Sequence, residues 1–152
     1  MTLRGNILGI TAILLCNLFS SRALAAPDLL AGVRSGVEPK IADMISLLSD
    51  GRVDAMIEKI GPIPEHDREA FEQTRERLIH LYSTAGKYQG FDMVGYKTLT
   101  PRFHVAYVLV YFEKRPVMLA FGFYRVDDKW RAQTLAVETD FKALLETLPL
   151  QR

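Results

Sequence analysis

One stretch constrains the fold more than any other. Phe103-His104-Val105-Ala106-Tyr107-Val108-Leu109-Val110-Tyr111-Phe112 is a run in which only His104 is strongly polar. Valine, tyrosine and phenylalanine suit a pleated, well-covered surface. Thr100-Pro101-Arg102 precedes the run and Glu113-Lys114-Arg115-Pro116 follows it, and both are turn-like. The pattern predicts a central strand with little water on either face.

The flanking sequence extends this strand into a four-stranded meander from Tyr88 to Val137. Gln89 to Thr98 carries Gly90 and Gly95, which predict a bulge or bend in a curved strand. Val117 to Val126 returns beside the central strand. Asp127-Asp128 reads as a two-residue hairpin turn, and Trp130 to Val137 as the last strand. Thr139 to Leu148 reads as a short helix or helical turn before Pro149.

Pairing Val126 with Lys129 and Glu113 with Pro116 sorts the strands into two faces. One face holds Val105, Tyr107, Leu109, Tyr111, Met118, Ala120, Gly122, Tyr124, Gln133, Leu135 and Val137. The other holds His104, Ala106, Val108, Val110, Phe112, Leu119, Phe121, Phe123, Ala132, Thr134 and Ala136. A one-residue slip would exchange them. Both are largely apolar, so each needs a cover. Helices can supply one. The other must meet another subunit, a ligand or the amino-terminal arm.

The helices lie ahead of the sheet. Val37 to Ile60 reads as two short helices, with Pro39 in a first turn and Ile41, Met44, Ile45 and Leu48 at helical spacing. Ser49-Asp50-Gly51 interrupts them, and Val53, Met56, Ile57 and Ile60 form the second stripe. Pro64 to Gly86 is the long helix, with Phe71, Thr74, Leu78, Leu81, Tyr82 and Ala85 on one side. Gly86 suits the position just past its end. Ala26 to Gly36 is a weakly patterned lead-in, expected to be flexible or a single helical turn. The expected class is therefore α+β: one domain over residues 37–148, with amino-terminal helices packed on a strongly curved four-stranded antiparallel meander.

The first 25 residues read as an export signal. Arg4 supplies the positive region, Ile7 to Phe19 the apolar region, and Ala23-Leu24-Ala25 the cleavage site. Cleavage after Ala25 removes Cys16, the single cysteine, so the mature chain has no disulfide and no thiolate chemistry. Arg4 and Arg22 leave with it, so 17 basic residues face 18 acidic ones and the net charge becomes −1. No basic stripe survives, which excludes nucleic acid as the expected partner. No second long apolar stretch follows, so no membrane span is expected after processing, and the protein is expected in the periplasm or outside the cell.

The polar groups that could carry chemistry are His80, His104, Tyr82, Tyr96, Tyr107, Tyr124, Asp92 and Gln133, with His66 expected in solvent. Asp92 with Tyr96 or Tyr107 could supply the base and oxyanion donor of a proton abstraction. Buried tyrosines are more commonly core residues with one satisfied hydroxyl. Glu69, Glu72 and Glu76 read as a solvated helix face. No HxH or HExxH spacing supports a metal, and no nucleotide or phosphate fingerprint occurs, so no catalytic residue and no cofactor is expected.

Helices followed by a curved meander, with Gly95-Tyr96-Lys97, Phe121-Gly122-Phe123-Tyr124-Arg125 and Asp128-Lys129-Trp130, resembles the nuclear transport factor two-like superfamily across Val37 to Leu145. It is similar in particular to small exported bacterial members. The resemblance implies a bent sheet around a long helix, a pocket within the cone, and a dimer through the sheet. The chain departs from the pattern in lacking a further strand or hairpin among the helices. The reading that follows is an exported, non-enzymatic binding or interaction module. Its site would be a cavity or sheet surface lined by Tyr82, Tyr96, Tyr107, Tyr124 and His80, taking a small apolar ligand. The expected assembly is a homodimer through Tyr107, Leu109 and Met118. The alternatives are a small lyase or isomerase in the same cavity and a purely structural homodimer.

Overall fold

The computed structural model describes residues 26–138, with side chains from residue 31 onward. The export signal and the Thr139–Leu148 helix fall outside them. The chain divides into Met1–Gly32, whose described residues are helical, and Val33–Arg152, which carries the sheet.

Among the described residues three α-helices and a short 3-10 turn (Glu65–Asp67) precede four strands, and the architecture is α+β: α1 (Ala26–Ser49), α2 (Val53–Glu58), α3 (Arg68–Thr84), β1 (Tyr88–Thr100), β2 (Phe103–Phe112), β3 (Pro116–Val126) and β4 (Lys129–Glu138). The strands form one antiparallel sheet in the order β1-β2-β3-β4. The central run of the sequence is thus β2, with the bounds its turns imply.

The first helix departs from expectation. Its described part spans Ala26–Ser49 rather than starting near Pro39, so the lead-in is helical and Pro39 lies in the helix interior. An interior proline costs about 3 kcal/mol or more. Val33, Val37, Ile41, Met44, Ile45 and Leu48 offset that cost, since each is at most 1% exposed. Burying one such side chain contributes about 1.5–3 kcal/mol, so the stripe outweighs the proline. On α3, Leu78 and Leu81 are buried, as is Ala85 just past its end, while Phe71, Thr74 and Tyr82 of the same stripe are half-buried. Gly86 follows with φ +86°, a left-handed backbone that glycine adopts without a side-chain clash.

The sheet's inner face meets the helices. Ala106, Val108, Val110, Phe112, Val117, Leu119, Phe121 and Phe123 join the helical stripes in one core cluster. Pro116 pairs with Tyr111 rather than Glu113, a shift of two residues that leaves the faces of β2 and β3 as expected.

The last strand overturns part of the face assignment. Ala132 opposes Phe123, yet Thr134 opposes Gly122, so Gln133 is an extra residue in a bulge. Beyond it every side chain changes face. Leu135 and Val137 point inward beside Phe121 and Leu119 and are buried, whereas Thr134 and Ala136 are exposed. β1 carries irregularities at Gly90 and between Met93 and Gly95, where its glycines predicted them.

Asp127 and Asp128 close the last hairpin with φ of 48° and 58°. Two consecutive positive values match the tight turn that favours glycine second. Asp128→Gly should therefore raise stability by about 0.5 kcal/mol: relief of left-handed strain of roughly 1–2 kcal/mol exceeds the entropic cost of glycine, roughly 0.5–1 kcal/mol. Urea melts of the two proteins check this, and a loss of stability would mean the aspartate side chain itself holds the turn.

Candidate functional site

The five residues expected to line one site are placed apart. Tyr82 lies where α1 ends: its hydroxyl donates to the Ser49 carbonyl at 3.3 Å and its ring meets Phe112 edge-on at 6.4 Å. His80 is exposed on α3, beside Gln73, Glu76 and Arg77. Tyr124 is exposed near the last hairpin, beside Arg102 and Arg125. Tyr107 lies on the outer sheet face, whereas Tyr96 faces inward opposite Ala106. Residue type alone marks no face, so a tyrosine count could not group them.

Tyr96 nevertheless belongs to a groove of about 500 Å³ that crosses the β1 edge. The bulge at Val94 creates it, because the extra residue bends β1 and brings residues from both faces to one edge. α1 contributes Arg34 and Glu38, one helical turn apart, while β2 contributes Leu109 and Tyr111. The Tyr96 hydroxyl donates to Glu38 Oε1 at 2.9 Å, and the Tyr111 hydroxyl donates to Asp92 Oδ2 at 2.9 Å. The Arg34 guanidinium lies 6.0 Å from the centre of the Tyr96 ring.

Both phenols are held protonated. Burial first, then the hydrogen bond to Glu38 and its charge, push the Tyr96 hydroxyl far above its ordinary pKa, with Arg34 acting weakly the other way. At Tyr111 the hydrogen bond to Asp92 leads, followed by burial and the Asp92 charge. The groove therefore presents two donating phenols and two accepting carboxylates. Each carboxylate has roughly four lone-pair sites, so a single tyrosine leaves acceptor capacity for a ligand.

The hydrogen-bond partner of Asp92 is Tyr111 rather than Tyr96 or Tyr107, the donors expected for a proton abstraction, and Tyr96 donates to Glu38. Asp92 is also exposed. Among the described residues, no group of three histidine, cysteine or acidic side chains could hold a metal. Arg34, Glu38 and Tyr111 are the groove residues that sequence reasoning missed. The four-residue spacing of Arg34 and Glu38 was the available signal.

The remaining buried polar group is His104, fully enclosed on β2. Its Nδ1 shares a hydrogen with Thr98 Oγ1 at 2.9 Å, its Nε2 has no partner among the described residues, and its ring meets Trp130 edge-on at 5.0 Å. Burial, and secondarily the Arg125 charge, hold its pKa below the ordinary value, with the Pro101 backbone opposing.

Compared with known protein families, curated proteins and solved structures, the chain matches none.

Proposed function

We propose that this chain is an exported, non-enzymatic binding module whose site is the groove between α1 and the bulged edge of β1. The ligand is small and amphipathic: an apolar body against Tyr96 and Leu109, with N–H donors directed to Glu38 and Asp92. The observation that carries this reading is the pair of tyrosine–carboxylate hydrogen bonds in one apolar-walled groove. Such a few fixed polar groups among apolar walls are how small-molecule sites obtain orientation. The order of helices followed by an antiparallel meander supports a nuclear transport factor two-like architecture as its setting. Among the described residues no helix is long and apolar enough to cross a membrane.

Native mass spectrometry of protein recovered from the periplasm should reveal a bound small molecule. Titration with phenethylamine, an aromatic ring bearing an ammonium group, should shift backbone amide resonances of residues 92–96. Asp92→Asn combined with Tyr111→Phe should weaken that binding about tenfold, equivalent to one lost hydrogen bond of roughly 1.4 kcal/mol. Shifts confined to other regions, with no co-purified mass, would refute the assignment.

A further inference from the structure

The groove at the β1 edge holds three charged side chains, and the cation among them is unmatched. Arg34 and Glu38 stand one turn apart on α1, a spacing that brings Cβ atoms to about 5–6 Å and allows an ion pair. None forms: the ion pairs of the described residues are Lys59–Asp43, His66–Asp67, Arg75–Asp54 and Arg75–Glu72. Glu38 accepts instead from the Tyr96 hydroxyl at 2.9 Å. The Arg34 guanidinium lies over the same ring, 6.0 Å from its centre. One aromatic ring thus holds two opposite charges apart. Stacking steadies a guanidinium and leaves the N–H fork at its edge free to take a carboxylate through two parallel hydrogen bonds. Asp92, the third charge, is engaged by Tyr111 through a single oxygen.

A ligand complementary to this set carries both signs. A simple amine would set its charge beside Arg34 with nothing to match that cation, and a simple carboxylate would face two carboxylates. An α-amino acid holds its ammonium and its carboxylate on one carbon, a separation that suits opposite charges one helical turn apart. We propose that the groove takes the zwitterion of an α-amino acid with an apolar side chain. Its carboxylate meets the Arg34 fork, and its ammonium, with three donors, is directed to Glu38 and Asp92. The side chain lies against Met93 and Leu109, which line the same groove. The volume of about 500 Å³ falls within the roughly 300–1,000 Å³ of small-molecule sites. This assignment rests on the groove being the ligand site and adds the class of ligand.

L-phenylalanine is phenethylamine with an α-carboxylate added, so the two compounds isolate what Arg34 contributes. Followed through the backbone amide resonances of residues 92–96, phenylalanine should bind about tenfold more tightly, the effect of one added charge-assisted hydrogen bond. 3-Phenylpropanoate, which lacks the ammonium, should bind more weakly than either. In Arg34→Gln the ratio of phenylalanine to phenethylamine affinity should fall from about ten to about one. Arg34→Lys keeps the charge without the fork and should give an intermediate ratio. Arg34 is exposed, so neither variant opens a cavity in the core. Phenethylamine binding with phenylalanine no tighter, or a ratio unchanged in Arg34→Gln, would overturn the zwitterion assignment and leave the groove as an amine site. Binding of neither compound at residues 92–96 would overturn it together with the groove itself.

Discussion

Trp130→Ala should lower the unfolding free energy by about 3–5 kcal/mol, a large part of the 5–15 kcal/mol typical of a domain. The indole is 6% exposed, although it directly follows a hairpin turn. Three structural elements converge on it. His104 of β2 meets its ring edge-on, and the Arg125 guanidinium of β3 lies 5.7 Å from its centre. Gly36 of α1 packs so closely on it that a Cβ there would collide with indole Cδ1. Truncation would leave a cavity joining helix and sheet, which neither can close without moving the other. Trp130→Phe should retain part of the loss by refilling some of that volume. Urea denaturation of the three proteins decides the matter: a loss below about 1 kcal/mol on truncation to alanine would exclude the anchor role.

Acid should destabilise the protein through His104 before most carboxylates titrate. The folded state holds this imidazole below its ordinary pKa of 6.5, chiefly by burial. Between the folded and unfolded values the unfolded chain binds more protons, so stability rises with pH across that window. The contribution is complete above the unfolded value and is lost as pH falls below 6.5 toward the folded value. Protonation would bury a cation beside Arg125, with no carboxylate among its hydrogen-bond partners. That costs more than the roughly 1–3 kcal/mol of a neutral buried group left unpaired. Melting temperature should fall between pH 8 and pH 5.5 in the wild type and change far less in His104→Leu. An equal slope in both proteins would show that another group carries the effect.

The parts of the fold readable in sequence are those with local chemical boundaries. β2 is bracketed by turn residues, and the two aspartates fit only a tight hairpin. The two glycines of β1 announced its irregularities. Gln133 announced nothing, since alternating Leu135 and Val137 look the same on either face. Only opposing residues on β3 reveal that the bulge turns them inward. Pro39 misled for a related reason: its local preference is for a helix start, and tertiary burial of the surrounding stripe overrides it. The groove was half legible. Tyr96 and Asp92 were candidates, but their partners Glu38 and Tyr111 lie 58 and 19 positions away. No local pattern encodes such pairings.

The irregular outer strands bear on how the protein avoids its own kind. An open sheet offers two rows of unsatisfied backbone groups, each a template for another chain to zip onto, and this sheet ends in β1 and β4. Both are spoiled as templates. β1 breaks register three times, and β4 breaks it once at Gln133. The Ala132 carbonyl on β4 already accepts from Gly61 at 2.8 Å, so the loop after α2 occupies part of that edge. A folding chain passes through partly structured states in which unpaired strand edges are exposed. Bent and partly occupied edges disfavour strand-to-strand stacking in those states.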